Sequence, residues 1–405
     1  MSRPNTSASS VPRLVAVTNV WPPMAAGTGQ ALRGMLGRQA ETVVLAPRSS
    51  DPGRAGEARV LPVFRFSRRS GGPLKLWSVL QHLEVALAPL AWCLTRRRQR
   101  PALFVCVLAL PAGVGGWLAW RCFGVPYVVL AHGEELTLLL DDRAPFRIRL
   151  RLQRLALREA AAVICNSVRT SRVVADHYGI PESRLRVIHP AVDTTDEESE
   201  PMSEAMELRC RLAGPDARVL LMVGRLTERH KGFDTAIAAM PAIRREVPDA
   251  TLVIAGPGDQ SALRAAAADV ADAVVFTGLL ERDDLLRLFR TCDLFLMPGR
   301  ALGLTAEGFG IVYLEAARFG KPIVAGRAGG APEAVVDGET GLLVDGESPN
   351  QVAAAVIRLL TDPQYAQRLG RCGRERVLRQ FDGRLQHRQF AALVDELLPP
   401  ESSTA

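Results

Sequence analysis

The stretch AEGFGIVYLEAARFGKPIVA, residues 306–325, reads as a loop, a helix and a buried strand in immediate succession. Gly308 and Gly310 keep the first part out of a helix, Ile311–Phe319 carries the helical pattern, and Gly320 stops it. Pro322–Ala325 is then a short apolar run of the kind a parallel strand shows when both its faces are covered. The same alternation continues outward in both directions. Strand-like runs fall at Leu14–Thr18, Thr42–Ala46, Leu103–Leu108, Tyr127–Ala131, Ala162–Asn166 and Arg186–Ile188. A second series falls at Val219–Val223, Thr251–Ala255, Val274–Thr277, Leu294–Met297, Pro322–Ala325 and Gly341–Val344. Strands alternating with helices predict an α/β chain with two Rossmann-like, doubly wound domains facing a central cleft, ligands lying at the carboxyl ends of the strands.

The length of 405 residues suits two domains. Residues 1–12 form a polar tail without the apolar core of a signal peptide. Residues 13–190 make the first domain and 207–380 the second, while 381–405 hold a C-terminal helix and tail, the helix packing back on the first domain. AVDTTDEESEPMSEAM, residues 191–206, is acidic and poor in apolar residues, as an exposed linker would be. The uncharged run Ala102–Trp120 approaches the length of a membrane span, but Pro111 and three glycines interrupt it. A buried strand, a turn at Pro111–Gly113 and a helix through Trp120 describe it better. Leu74–Leu94 is nearly continuously apolar and ends in TRRRQR, which fits either a core helix or a helix lying on a membrane surface.

The net charge of +7 hides an asymmetry: residues 1–190 hold 26 basic and 11 acidic residues, the remainder 24 and 32. The basic half points to an anionic partner. Seven dispersed cysteines without a C-x-x-C pair give no support to disulfides or a metal site and fit a reducing cytoplasm.

Chemistry concentrates in three segments of the second half. VGRLTERHKGFD sets Arg225 and Lys231 six residues apart between a strand and a helix, where they could converge on a phosphate beside Gly232 or form a solvated basic loop. IAGPGD supplies the turn glycines Gly256 and Gly258. In EGFGIVYLE, amides near Phe309, Gly310 and Ile311 at the helix start would favour a diphosphate. Glu307 could then accept hydrogen bonds from sugar hydroxyls, and Glu315, eight residues on, from a ribose. A capping glutamate followed by a solvent-facing one is the plainer alternative.

Together, EGFGIVYLE, GRLTERHKG, IAGPGD, FTGLL and GKPIVAGRAGGAPEAVVDGETGLLV resemble the nucleotide-binding half of the family 4 retaining glycosyltransferases, of GT-B fold. VTNVWPPMAAGTGQ, AHGEE and VICNSVRTS resemble the first glycine loop, the histidine loop and the following strand-helix of the other half. MPGR and EGFGIVYLEAARFGKPIVAG are especially similar to bacterial mannosyltransferases that act on phosphatidylinositol mannosides and related lipids from GDP-mannose. The resemblance implies that Arg225 and Lys231 neutralise the leaving diphosphate, Glu307 holds the donor sugar and Glu315 the ribose. It likewise implies that His132 lines the reaction centre and that Gly27 and Gly29 bring amides to the diphosphate. The glycine pair is not adjacent as in the family, and the Arg-to-Lys spacing is one residue longer than in the lipid mannosyltransferases.

The expectation is thus a retaining, metal-independent hexosyltransferase without a cofactor, since no Asp-x-Asp occurs in the chain. Its donor would be GDP-mannose, with a UDP-hexose as the alternative, and its acceptor a lipid-linked or glycan hydroxyl. A sugar-nucleotide epimerase shares the architecture. A dinucleotide oxidoreductase is opposed by the missing G-x-G-x-x-G, and nucleic-acid binding by the lack of interleaved basic and aromatic residues. Arg65–Arg69 and Arg96–Arg100 suggest a cytoplasmic protein in peripheral contact with anionic lipid on the inner face of the plasma membrane.

Overall fold

The computed structural model describes residues 12–18, 27–36, 42–47, 59–64, 74–138, 140, 147–192 and 201–398. The chain divides into two compact units, one of 1–166, 170–188 and 386–405, the other of 167–169 and 189–385. In the first, the elements run β1 (Leu14–Val17), α1 (Gly27–Leu36), β2 (Thr42–Pro47), β3 (Arg59–Phe64), α2 (Leu74–Thr95), β4 (Leu103–Val107), α3 (Val114–Phe123), β5 (Tyr127–Ala131), α4 (Glu134–Thr137), α5 (Arg147–Arg158), β6 (Ala162–Cys165), α6 (Val168–Tyr178) and β7 (Leu185–Val187). They build a seven-stranded parallel sheet in the order β3-β2-β1-β4-β5-β6-β7.

The next elements are α7 (Met202–Ala213), β8 (Arg218–Val223), α8 (Phe233–Glu246), β9 (Ala250–Ala255), α9 (Ser261–Ala266), β10 (Val274–Gly278), α10 (Arg282–Thr291), β11 (Leu294–Met297), α11 (Ile311–Arg318), β12 (Ile323–Gly326), α12 (Ala331–Ala334), β13 (Leu342–Val344), α13 (Pro349–Thr361), α14 (Pro363–Gln380) and α15 (Gly383–Leu397). Their strands form a six-stranded parallel sheet, β10-β9-β8-β11-β12-β13. In each sheet the order turns back beside its first strand, between β1 and β4 and between β8 and β11. Loops leaving the carboxyl ends of such a pair diverge, and the crevice between them is where open α/β sheets bind ligands.

The central strands are buried along their whole length, which is why they read as unbroken apolar runs. Each sheet has an apolar cluster on either face. Phe390, Leu393 and Val394 of α15 belong to the cluster that contains Leu14 and Val44 of the first sheet and Leu36 of α1. Ala102–Trp120 is a strand, a wide turn at Leu108–Gly113 and a helix, and no described helix is long and apolar enough to cross a membrane. In α2, Val85, Trp92 and Cys93 are buried while Leu83, Leu87 and Leu94 are exposed, so the helix has a core face and an apolar outer one. Arg65–Arg69, the polar start of the chain and residues 193–200 of the acidic segment lie outside the described residues. Residues 202–206 open α7.

Candidate functional site

In the second unit, β8 and β11 are hydrogen-bonded neighbours, with Leu221 beside Phe295. The loop leaving β8 carries Arg225 and Lys231, and the loop leaving β11 carries Glu307, so the switch point brings together residues 76 apart in sequence. Lys231 closes a short 3-10 turn, Arg229–Lys231, before α8. Gly232 follows at φ +75, where an added Cβ would stand 2.1 Å from the Pro298 carbonyl oxygen, so only glycine lets the two loops lie this close.

Lys231 Nζ donates to Glu307 Oε2 at 2.8 Å, and the two side chains are only 10% and 17% exposed. Glu228 Oε2 stands 3.4 Å from the same ammonium, and Glu228 also pairs with Arg225, whose side chain is 58% exposed. Burial pulls the Lys231 ammonium down, but Glu307 and Glu228 more than reverse it. Burial likewise pushes the Glu307 carboxyl up, and Lys231 brings it below the ordinary value. Both partners are therefore ionised at neutral pH. His230, buried beside them, is held down chiefly by burial.

The remaining predicted residues take different places. Gly256, at φ +152, follows β9, and an added Cβ there would stand 1.8 Å from the Gly224 carbonyl oxygen. Gly256 therefore packs directly against the start of the loop that carries Arg225. Gly310 caps α11 in a left-handed conformation and Ile311 begins that helix, whereas the Phe309 ring is buried, 5.2 Å from His189 and 5.6 Å from Phe381. Only the Phe309 backbone is thus presented at the helix start. Glu315 is buried and paired with Arg282 of α10, which rules out the solvent-facing alternative for this residue.

In the first unit, Gly27 and Gly29 lie in the first turn of α1. His132 follows β5, and Asn166 follows β6 next to it. Asn166 Nδ2 donates to the His132 carbonyl at 2.8 Å, and the His132 amide donates to Glu135 Oε1 at 2.7 Å. Burial lowers the His132 pKa to about 4, so its imidazole is neutral at physiological pH, and its Nε2 is buried without a hydrogen-bond partner. Burial raises Glu135 to about 7 against the hydrogen bonds of the loop amides.

Glu228, Asn166 and Glu135 join the site in the structure without having been expected there. Glu228 stands three residues from both Arg225 and Lys231 in the quoted motif, a spacing that brings charges together in one turn. Asn166 could not be paired with His132 until the strand order was known. Among the described residues no group of His, Cys, Asp or Glu gathers that could hold a metal ion.

Two family descriptions match the chain: Glycosyltransferase Family 4 over residues 28–196 and Glycosyl transferases group 1 over residues 211–376. A GDP-mannose-dependent alpha-(1-6)-phosphatidylinositol monomannoside mannosyltransferase from Mycolicibacterium smegmatis is 38% identical over 291 residues, 71% of this chain and 74% of that protein. The protein of the same description from Mycobacterium tuberculosis is 43% identical over 206 residues, 50% of this chain and about half, 53%, of its own length. Among solved structures, sucrose-phosphate synthase from Thermosynechococcus elongatus superposes with a TM-score of 0.74 at 22% identity, over 95% of this chain and 98% of the other. HepE of Anabaena, solved with UDP and glucose, gives 0.73 at 22%, over 95% and 99%. The fold is that of the GT-B glycosyltransferases. With both halves matched and a relative of this similarity, the chain belongs to the family 4 glycosyltransferases and is a hexosyltransferase.

Proposed function

We propose that this enzyme transfers mannose from GDP-mannose to a hydroxyl of a lipid-linked or glycan acceptor, with retention at the anomeric carbon and without a divalent cation or cofactor. The observation that carries the reading is the Lys231–Glu307 pair at the carboxyl ends of β8 and β11, with Arg225 beside it. A buried ammonium and a more exposed guanidinium can take the charge that develops on the departing diphosphate, the work that a metal ion does elsewhere. Amides of Gly310 and Ile311, and of Gly27 and Gly29, sit at helix starts where an anion is favoured. Glu307 would accept from donor hydroxyls, and Glu315 from the ribose once Arg282 releases it. A neutral His132 can hydrogen-bond a sugar hydroxyl but cannot act as an acid at neutral pH.

In the reaction, the acceptor oxygen bonds to the anomeric carbon as the sugar–phosphate bond breaks on the same face. The acceptor proton passes to the departing phosphate oxygen, and Arg225 and Lys231 hold the nucleoside diphosphate. GDP-mannose is the preferred donor because the similar mycobacterial proteins are described by that dependence. The test is a screen of purified protein against GDP- and UDP-sugars in excess EDTA, with the product's configuration read by NMR. Retained configuration with full activity in EDTA supports the proposal. Inversion or abolition by EDTA overturns that part, and a free isomerised sugar nucleotide without acceptor would make the enzyme an epimerase.

For the acceptor, we place the membrane-facing surface on the basic first unit. Helix α5 exposes Arg147, Arg149 and Arg151 together with Ile148, 70% exposed, and Leu152, while Arg96–Arg98 follow the apolar outer face of α2. Basic residues next to exposed apolar ones suit an anionic bilayer at the inner face of the plasma membrane, each arginine adding about 1 kcal/mol. Replacing Arg147, Arg149 and Arg151 by glutamine should reduce sedimentation with phosphatidylglycerol vesicles at least roughly tenfold. Sedimentation indifferent to lipid charge would count against this surface.

A further inference from the structure

Arg225 and Lys231 are bridged by one carboxylate. Glu228 pairs with the Arg225 guanidinium and stands 3.4 Å from Lys231 Nζ, with a side chain only 11% exposed. Together with Glu307, these side chains set two carboxylates against two cations, so the charges of the four offset one another. A nucleoside diphosphate brought to the same two cations adds further negative charge at short range. Like charges crowded in a poorly hydrated loop repel strongly, so one of the two carboxylates has to give up its partners.

Glu228 is the one placed to do so. Glu307 makes the shorter contact to Lys231, 2.8 Å, and its carboxyl is also hydrogen-bonded by the Gly308 backbone. Glu228 instead reaches outward to Arg225, the exposed member of the pair. Three residues separate it from each cation, so a change of rotamer suffices to release both. Its presence has a physical use as well. Without it, each release of the nucleotide would leave the buried Lys231 ammonium and the nearby Arg225 guanidinium with one fewer carboxylate against them.

We propose that Glu228 is the resident counter-anion of the donor clamp, holding Arg225 and Lys231 until the diphosphate replaces it, and thereby setting nucleotide affinity and the ease of product release. The proposal rests on the donor site described above and adds a residue that works against binding within it. It also gives a use to the longer spacing between the two cations, since Glu228 lies midway along the loop that joins them.

The test is calorimetric titration of GDP and of UDP into the full-length protein and two variants, each checked by its thermal unfolding. Glu228→Gln keeps the shape and removes the charge, and should lower the Kd of the preferred nucleotide about tenfold. Glu228→Asp, whose shorter arm cannot bridge both cations, should give an intermediate gain of about threefold. In steady-state assays the glutamine variant should also lower KM and the product inhibition constant, with kcat reduced as nucleotide release slows. Equal or weaker binding by both variants overturns the proposal, because Glu228 would then serve to shape the clamp. If neither wild type nor variants bind either nucleotide, the donor-site reading falls, and this proposal with it.

Discussion

Replacing Lys231 by methionine should separate what the Lys231–Glu307 pair does for the fold from what it does for catalysis. The ammonium and carboxylate meet at 2.8 Å with little solvent access, so removing the cation leaves Glu307 buried next to Glu228 without its main counter-charge. Breaking one side of such a pair costs about 3–5 kcal/mol when burial is complete, and the slight exposure here places the expected loss near 3 kcal/mol. For a unit of this size that is a fall in Tm of about 6–12 °C. The double variant Lys231→Met/Glu307→Gln removes both charges and should recover at least about 2 kcal/mol of the loss. Activity should not recover, because the cation that stabilises the leaving diphosphate is still missing, a defect of about 100- to 1000-fold in kcat. Glu307 is depressed, so its contribution is present above its unfolded value of 4.5 and is lost as pH falls through the lower folded value. Lys231 is raised, so its contribution is present below 10.5 and is lost as pH rises through the higher folded value. The stability gap between wild type and Lys231→Met should therefore be widest between those limits. Thermal unfolding by circular dichroism measures it. Single losses below about 1 kcal/mol, or losses that simply add in the double variant, would mean that Lys231 and Glu307 do not form a buried ion pair.

Two further outcomes follow from the same geometry. Glu135 is raised from 4.5 to about 7 by burial, so its neutral form suits the fold and the stability it contributes is lost as pH rises through about 7. Cys165 and Tyr178, which face it, are themselves pushed up and stay neutral, leaving Glu134 as the nearby charge. Glu135→Gln should then match wild type near pH 5 and melt higher at pH 8, whereas parallel melting curves would contradict the assignment. Gly256→Ala forces a Cβ to within 1.8 Å of the Gly224 carbonyl oxygen at φ +152, and should lower the Tm of the second unit and weaken nucleotide binding by displacing the Arg225 loop. A soluble variant with unchanged melting and unchanged GDP affinity would show that the two loops do not pack as described.

Much of the fold could be read directly because parallel strands covered on both faces leave unbroken apolar runs. β5 and β11 fall where those runs predict, and most others shift by a residue or two at an end. β3 could not be read this way: the apolar run in Arg59–Phe64 is interrupted by Pro62, which argues against a strand except at a sheet edge, where β3 lies and a missing backbone donor is tolerated. Within the candidate site, Arg225, Lys231 and Glu307 stood out by type and by their place after strands, and only the strand order shows that two of them touch. Glu315 illustrates the limit. Its spacing after Glu307 was plain, but its partner Arg282 lies 33 residues away on another helix, and such a pairing depends on how α10 and α11 pack. The buried Phe309 ring belongs to the same class, since a residue in a functional motif can serve the core through its side chain and the site through its backbone.

The proposed function rests on Arg225 and Lys231, on the loop leaving β8, holding the diphosphate of the donor beside Glu307. The most direct measurement is titration of GDP into the full-length wild type, Arg225→Ala and Lys231→Ala, with folding of each verified by its unfolding transition. Wild type should bind GDP, and each variant should bind it at least roughly tenfold more weakly. Equal affinity in all three proteins would contradict that role.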